Sequence, residues 1–290
     1  MADLSIDKRS LRHAFERAAA TYDAAAVLQS EVCRRMLARL DYIRHQPEVI
    51  LDAGSGTGNA LSGLRQRYPR AAIVALDIAV AMLARGRARL PWWKGLLSAA
   101  VYPACGDIER LPVAGARVGM VWSNLVLQWT NEPQRVFAEM RRVLAPGGLL
   151  MFSTFGPDTL RELRTAYGDI DGHTHVNRFI DMHDIGDLLV AGGFADPVMD
   201  MEYFTLTYDD VRQLMRELKA IGAHNVTRGR PTALSGKRRL AAVSANYERY
   251  RRDGKLPATF EVVYGHAWKP QPRTGPGGRP VIDIRPRSGA

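Results

Sequence analysis

Short apolar runs alternate with amphipathic stretches from about Glu31 to Phe155, and this rhythm is the first thing the chain displays. Cys33, Met36, Leu37, Leu40 and Ile43 recur at helical spacing and precede the strand-like run "VILDAG". "AIVALD" is a second strand-like run, "VAMLARGRARL" a helix, and "RVGMVWSN" a further strand. "EPQRVFAEMRRVL" places Val136, Phe137, Met140, Val143 and Leu144 on one helical face, and "PGGLLMFSTF" turns and then extends. Strand and helix in alternation predict a mostly parallel sheet covered on both faces, an α/β fold.

After Phe155 the rhythm loosens. "DIGDLLVAGGF" predicts a helix capped by Asp184 and stopped at Gly192-Gly193. "VMDMEYFTLTY" and "TFEVVYGHAW" alternate as strands, while "DDVRQLMRELKAIGAHN" and "SGKRRLAAVSANYERYRR" have helical patterning. The tail from Lys269 is rich in Pro, Gly and Arg and is expected to be disordered. The expected organisation is an N-terminal lid segment over 1–30, a main domain over 31–268, and a tail over 269–290. Within the main domain, 31–155 forms the core and 156–268 the substrate side.

Composition narrows the class. At 290 residues, 46% hydrophobic and 24% charged, the chain is an ordinary globular protein with no apolar run of membrane-span length. The N-terminal stretch has no signal-like apolar segment, so a cytoplasmic location is expected. Cys33 and Cys105 are far apart without CxxC spacing, which predicts free thiols and no metal site. The net charge of +10 asks for an anionic partner or for arginines scattered over solvated faces.

The chemistry centres on "VILDAGSGTGNALSGL". Gly54, Gly56 and Gly58 leave no Cβ in the way of a ligand, and Asn59, Ala60 and Leu61 are expected to start a helix whose N–H groups point at it. Asp52 can meet an ammonium group. Asp77 closes the next strand where a ribose-binding carboxylate belongs. Asp107, after the third strand, can accept from an exocyclic amine such as that of adenine. S-adenosylmethionine combines all three groups. Taken singly, Asp52 can be a turn cap, Asp77 a surface acid and Met82 a core residue.

In order and spacing, "LDAGSGTG", "LDIAVAML", "GDIERLP", "WSNLVLQW" and "VLAPGGLLMFSTF" resemble the class I S-adenosylmethionine-dependent methyltransferases, which implies their Rossmann-like fold. The cofactor set this implies is Asp52, Gly54, Ser55, Gly56, Gly58, Asp77, Ile78, Met82, Asp107, Ile108 and Asn124. "AFERAAATYDAAAVLQ", "HVNRF" and "LKAIGAHN" extend the resemblance to the malonyl-acyl-carrier-protein O-methyltransferases of biotin synthesis, from about Ser10 to Lys269. The family's more usual cysteine in the glycine loop is Ser55 here.

The resemblance implies methylation of the free carboxylate of a malonyl thioester, on acyl carrier protein or coenzyme A. A carboxylate is already a nucleophile at neutral pH, so no general base is assigned among His173, His175 and His183. Arg178 is expected to orient the substrate carboxylate or, alternatively, to pair with Asp181. Tyr22 closes over the cofactor or anchors the lid. Asn124, Gln128 and Trp129 border the transfer point, although Trp129 can also be core. Lys219, Arg228, Arg230, Lys237, Arg238 and Arg239 form a basic cluster for an acidic carrier protein. A monomer with neither nucleic-acid nor membrane partners is expected. The alternatives are an arginine hydroxylase of related sequence that serves respiratory-complex assembly, and a non-catalytic cofactor-binding partner protein.

Overall fold

A computed structural model describes residues 5–89, 100–168, 170, 177, 179–223 and 237–272. Its core is one seven-stranded sheet in the order β3-β2-β1-β4-β5-β7-β6. The strands are β1 (Val49–Ala53), β2 (Ala72–Asp77), β3 (Val101–Cys105), β4 (Val118–Asn124), β5 (Leu144–Phe155), β6 (Ala195–Tyr208) and β7 (Leu256–Trp268). β1 to β5 run parallel, whereas β7 lies antiparallel between β5 and β6.

Among the described residues are ten α-helices: α1 (Lys8–Ala18), α2 (Tyr22–Ala25), α3 (Val27–Arg39), α4 (Leu61–Arg67), α5 (Val80–Arg89), α6 (Pro133–Val143), α7 (Arg161–Gly168), α8 (Met182–Ala191), α9 (Val211–Ala220) and α10 (Lys237–Glu248). The predicted stripe on α6 is the buried one: Val136, Phe137, Met140 and Val143 face the sheet, and Pro133 supplies a first-turn residue with no N–H to satisfy. On the other face Val32, Cys33 and Met36 of α3 join Ile50, Ile73 and Met120 in the larger core. Cys33 and Cys105 are both free thiols.

The parallel half winds outward in both directions from β1 and β4. Such a reversal leaves a crevice above the carboxyl ends of the strands, where ligands of open α/β sheets bind.

Several boundaries differ from the sequence expectation. α4 starts at Leu61, not Asn59, because Gly58 holds φ at +80° and the turn runs on through Ala60. α3 stops at Arg39, so Leu40 and Ile43 continue its apolar face from a 3-10 turn and an extended residue. α3 also begins at Val27 and passes through residue 30 without a break. Asp181, not Asp184, caps α8: its carboxylate accepts from the His183 N–H, which leaves Asp184 inside the first turn. α9 ends at Ala220, where Gly222 at φ +74° turns the chain. Lys269, placed at the start of the expected tail, exchanges backbone hydrogen bonds with Gly147 and Gly148, and residues 273–290 of that tail lie outside the described residues. No helix among the described residues is long and apolar enough to cross a membrane.

Candidate active site

The glycine turn is built by backbone bonds directed inward. The N–H groups of Gly54 and Ser55 both donate to the Leu76 carbonyl at 2.8 Å, which fixes the turn against the end of β2. Gly54 is at φ +88°, and a Cβ there would overlap the Val126 side chain at 2.2 Å. At Gly56 the situation is opposite: a Cβ would meet nothing within 4 Å. The missing side chain at Gly56 therefore leaves room for a ligand.

Asp77 locks this arrangement. It is 9% exposed, and its Oδ2 accepts from Gly56 N–H at 2.9 Å while Oδ1 accepts from Ala79 N–H at 2.8 Å. Burial pushes its carboxyl up to about 6, although these two backbone bonds and a third from Ile78 work the other way. At the next loop Asp107 accepts from Glu109 N–H, and Lys8 of α1 bridges the Asp107 and Glu109 carboxylates at 3.1 and 3.0 Å.

Lys8, Gly54, Gly56, Asp77 and Asp107 line one cleft. Gly54, Gly56, Asp77, Ile78, Met82, Asp107, Ile108 and Asn124 of the expected cofactor set are on its wall, and so are Tyr22, Gln128 and Trp129. The structure does not bring Asp52, Ser55 or Gly58 to that wall. Gly58 packs against Gly86 of α5. Ser55 is directed to a separate hollow beside Leu61 and Ala75.

Asp52 lies behind the turn, 2% exposed, and its Oδ2 has no hydrogen-bond partner. Burial, opposed by the neighbouring Ser55 hydroxyl and reinforced by the Asp77 charge, pushes its carboxyl up to about 7. An unpartnered buried acceptor at the back of the cleft suits an ammonium-bearing ligand, since an unmet buried carboxylate is costly. The native carboxyl thus holds its proton over a range, from about pH 4 to 7, in which the unfolded chain has lost it. Stability must fall as pH rises through that range, and the penalty is complete above 7. In thermal unfolding without cofactor, Asp52→Asn should show a higher Tm than the parent at about pH 8 and a flatter dependence on pH; identical pH slopes would contradict this assignment.

The N-terminal segment is tied over the cleft by polar contacts that span the sequence. Glu16 of α1 accepts from Val80 and Ala81 N–H at 2.8 and 2.9 Å, capping α5 from outside. Arg85 of α5 donates back to the Ala19 and Ala20 carbonyls. Asn131 pairs with the Ile6 backbone in both directions. Phe15 meets Trp129 edge-on at 5.5 Å. Trp129 thus both lines the cleft and anchors the lid. Burial, with Asp77 and Asp23 nearby, holds the proton on the Tyr22 phenol.

A second cavity adjoins the first, and Gln29, Gln128, Trp129, Phe155, Ile221 and Ala223 line both. Its remaining wall is mainly apolar, with Leu160, Leu163, Phe179, Leu206, Leu218 and Phe260. Gln128 is held by donating to the Leu125 carbonyl at 2.7 Å and accepting from Thr154. Asn124 donates to the Gln29 carbonyl and accepts from Ser153.

Two amides absent from the expected set stand here. Gln29 Oε1 and Asn177 Oδ1 are buried without a partner, and both side chains line the second cavity. An amide can present either its oxygen or its NH₂ group to a ligand. Both residues lie inside the motifs "AAAVLQ" and "HVNRF", but nothing in the sequence says that they converge.

Arg178 lies outside the described residues, as do His173, His175, Arg228 and Arg230. Its sequence neighbours Asn177 and Phe179 are on the second cavity's wall. His183 is exposed and pairs with Asp181 at the head of α8. The described part of the expected carrier cluster divides between two helices: Lys219 on α9, which packs on α2 and β6, and Lys237, Arg238 and Arg239 on α10, which packs on α7. Arg238 is exposed, and Arg239 is half-buried with a partner.

The strand order, the antiparallel β7, the glycine turn at the end of β1 and the acids ending β2 and following β3 define a class I methyltransferase fold. A family model described as a methyltransferase domain matches residues 51–152. Malonyl-(acyl-carrier protein) O-methyltransferases of Gallionella capsiferriformans and Nitrosospira multiformis are 56% and 58% identical to this chain. The matches cover 97% of this chain and 98% of the relative in the first case, and 94% and 92% in the second. The chain belongs to the malonyl-acyl-carrier-protein O-methyltransferase family. At the level of fold alone it is also similar to Haemonchus contortus phosphoethanolamine N-methyltransferase 2 solved in complex with S-adenosyl-L-methionine. That likeness has a TM-score of 0.52 and 20% identity over 82% of this chain and 53% of that one.

Proposed function

We propose that this chain transfers the methyl group of S-adenosylmethionine to the free carboxylate of a malonyl group carried as a thioester on acyl carrier protein. The observation that carries the proposal is the near-full-length likeness to relatives bearing that name. The two cavities support it, because donor and acceptor need adjoining chambers with a shared wall. Gly54, Gly56, Asp77, Ile78, Met82, Asp107, Ile108 and Asn124 would hold the cofactor, with Asp52 behind them. Bound there, it supplies an electrophilic sulfonium methyl.

The chain's own contribution is positioning and exclusion of water. A malonyl carboxylate is ionised at neutral pH and needs no base to activate it. Trp129, Phe155 and Ile221 give the shared wall an apolar surface, which removes water from the reacting oxygen. Gln29 and Asn177 have unpartnered amide oxygens on this wall, and turning either amide over would present its NH₂ group to the carboxylate or the thioester carbonyl. Glu217 is the one carboxylate on the second cavity's described wall, and the Tyr208 hydroxyl binds it. Arg178, between Asn177 and Phe179, is proposed to hold the substrate carboxylate. Capping the charge would let the dicarboxylate pass as an ordinary acyl chain toward a pimeloyl product and biotin. The proposed setting is a monomer in the cytoplasm. The alternatives of arginine hydroxylation and non-catalytic binding gain no support from the relatives.

The assay is release of S-adenosylhomocysteine. Malonyl-acyl-carrier protein should give one equivalent per thioester and acetyl-acyl-carrier protein none; equal release from both would refute carboxyl methylation.

A further inference from the structure

Helix α9 gives part of the second cavity's wall and has an exposed outer side. Leu214 on its inner side is buried, and Leu218 and Ile221, which follow at helical spacing, line the cavity with Glu217. Its outer side carries Arg212, Arg216 and Lys219, all exposed. The spacing i, i+4, i+7 stacks these three cations in a single stripe along the helix.

Several other surface arginines are paired with a nearby acid. Arg34 and Arg35 pair with Glu31, Arg39 with Asp200 and Glu202, Arg161 with Asp158, and Arg251 with Glu248. Among the described residues Arg212, Arg216 and Lys219 have no ion-pair partner. The helix's only acid, Glu217, is on the cavity wall. Three unneutralised charges on one face repel one another, so their arrangement costs stability unless an anionic surface meets them.

We propose that the outer face of α9 is the landing surface for the carrier domain, an acidic protein, whose thioester arm reaches the second cavity past this helix. The proposal rests on the carrier-bound substrate reading above. Charge complementarity selects the occupant, and the wall that α9 gives to the cavity selects the place. A helix with its side chains is about 10–12 Å across, a distance that an extended prosthetic arm can span. Arg212 and Arg216 thereby join Lys219, while α10, which packs elsewhere, is not needed for docking.

The test compares malonyl-carrier protein with malonyl-pantetheine, which carries the same thioester without the protein. Arg212→Glu/Arg216→Glu/Lys219→Glu should raise KM for the carrier substrate at least tenfold and leave kcat/KM for malonyl-pantetheine and cofactor affinity unchanged. A triple reversal at Arg44, Arg70 and Arg117, exposed near the amino ends of β1, β2 and β4, makes the same net-charge change at the opposite edge and should leave KM near the parent value. If the α9 triple variant loses cofactor binding, Arg216→Glu alone should still raise the carrier KM at least threefold. Parent-like KM in the α9 variants, an equal rise in the opposite-edge variant, or parallel loss on malonyl-pantetheine would overturn the proposal. An unmodified enzyme that methylates only the pantetheine form would remove the carrier, and one that methylates neither would remove the functional reading. Both results are visible before any variant is made.

Discussion

Replacing Asp77 with Ala is expected to weaken S-adenosylmethionine binding by about 100-fold or more. The side chain closes β2 and holds two backbone donors, Gly56 N–H at 2.9 Å and Ala79 N–H at 2.8 Å. Its loss removes the charged acceptor proposed for the ribose and releases the turn that makes room for the ligand at Gly56. Hydrogen bonds to charged groups contribute about 1.5–3 kcal/mol each. Loss of two such contacts is worth at least about 3 kcal/mol, or roughly two decades in Kd. Asp77→Asn, which keeps an acceptor but no charge, should fall between the parent and Ala. Because the Asp77 carboxyl is pushed up to about 6, the parent's affinity should also drop as pH falls through 6, where the acceptor becomes protonated. Isothermal titration across pH measures both effects; parent-like affinity in Asp77→Ala would exclude this carboxylate from the site.

Arg178→Ala is expected to lower kcat/KM for malonyl thioester about 100-fold while leaving cofactor affinity unchanged. The physical argument is the cost of an unpaired carboxylate in an apolar chamber. No Lys or Arg is on the described wall of the second cavity, and its one carboxylate, Glu217, repels a malonyl group. A cation must therefore come from elsewhere, and Arg178 stands between two wall residues in the sequence. A charge-assisted pair contributes roughly 1.5–3 kcal/mol. The upper part of that range corresponds to the expected effect. Arg178→Lys keeps the charge but loses the planar fork and should recover only part of the rate. Steady-state kinetics with cofactor titration separates the two readouts. An unchanged kcat/KM, or a loss matched by weaker cofactor binding, would contradict the substrate role.

The parallel half of the sheet and its first cavity were legible because each depends on local sequence. A strand ending in Asp52 and broken by alternate glycines can do little except turn tightly, and Asp77 and Asp107 fall at the ends of neighbouring parallel strands by topology alone. What the pattern could not supply is long-range convergence. Gln29 from α3, Asn177 from a connecting segment and Ile221 after α9 meet at one chamber, yet each looks unremarkable in its own segment. The burial of Asp52 was hidden for a related reason: its place at the end of β1 suggests an open cleft, but the turn bonds back to Leu76 and leaves the carboxylate 2% exposed behind the wall. The lid contacts are likewise invisible in sequence. Glu16 caps a helix 64 residues away, and Lys8 reaches an acid 99 residues away. The cap of α8 was a contest between two acids three residues apart, decided when Asp181 took the His183 N–H.

Intact-protein mass spectrometry of the carrier, after incubation with this protein and S-adenosylmethionine, tests the central claim most directly. The malonyl form should gain one methyl group, lost again on mild alkaline hydrolysis of the ester, and the acetyl form should gain none. No gain on the malonyl form while the cofactor is bound would contradict the proposed carboxyl methylation.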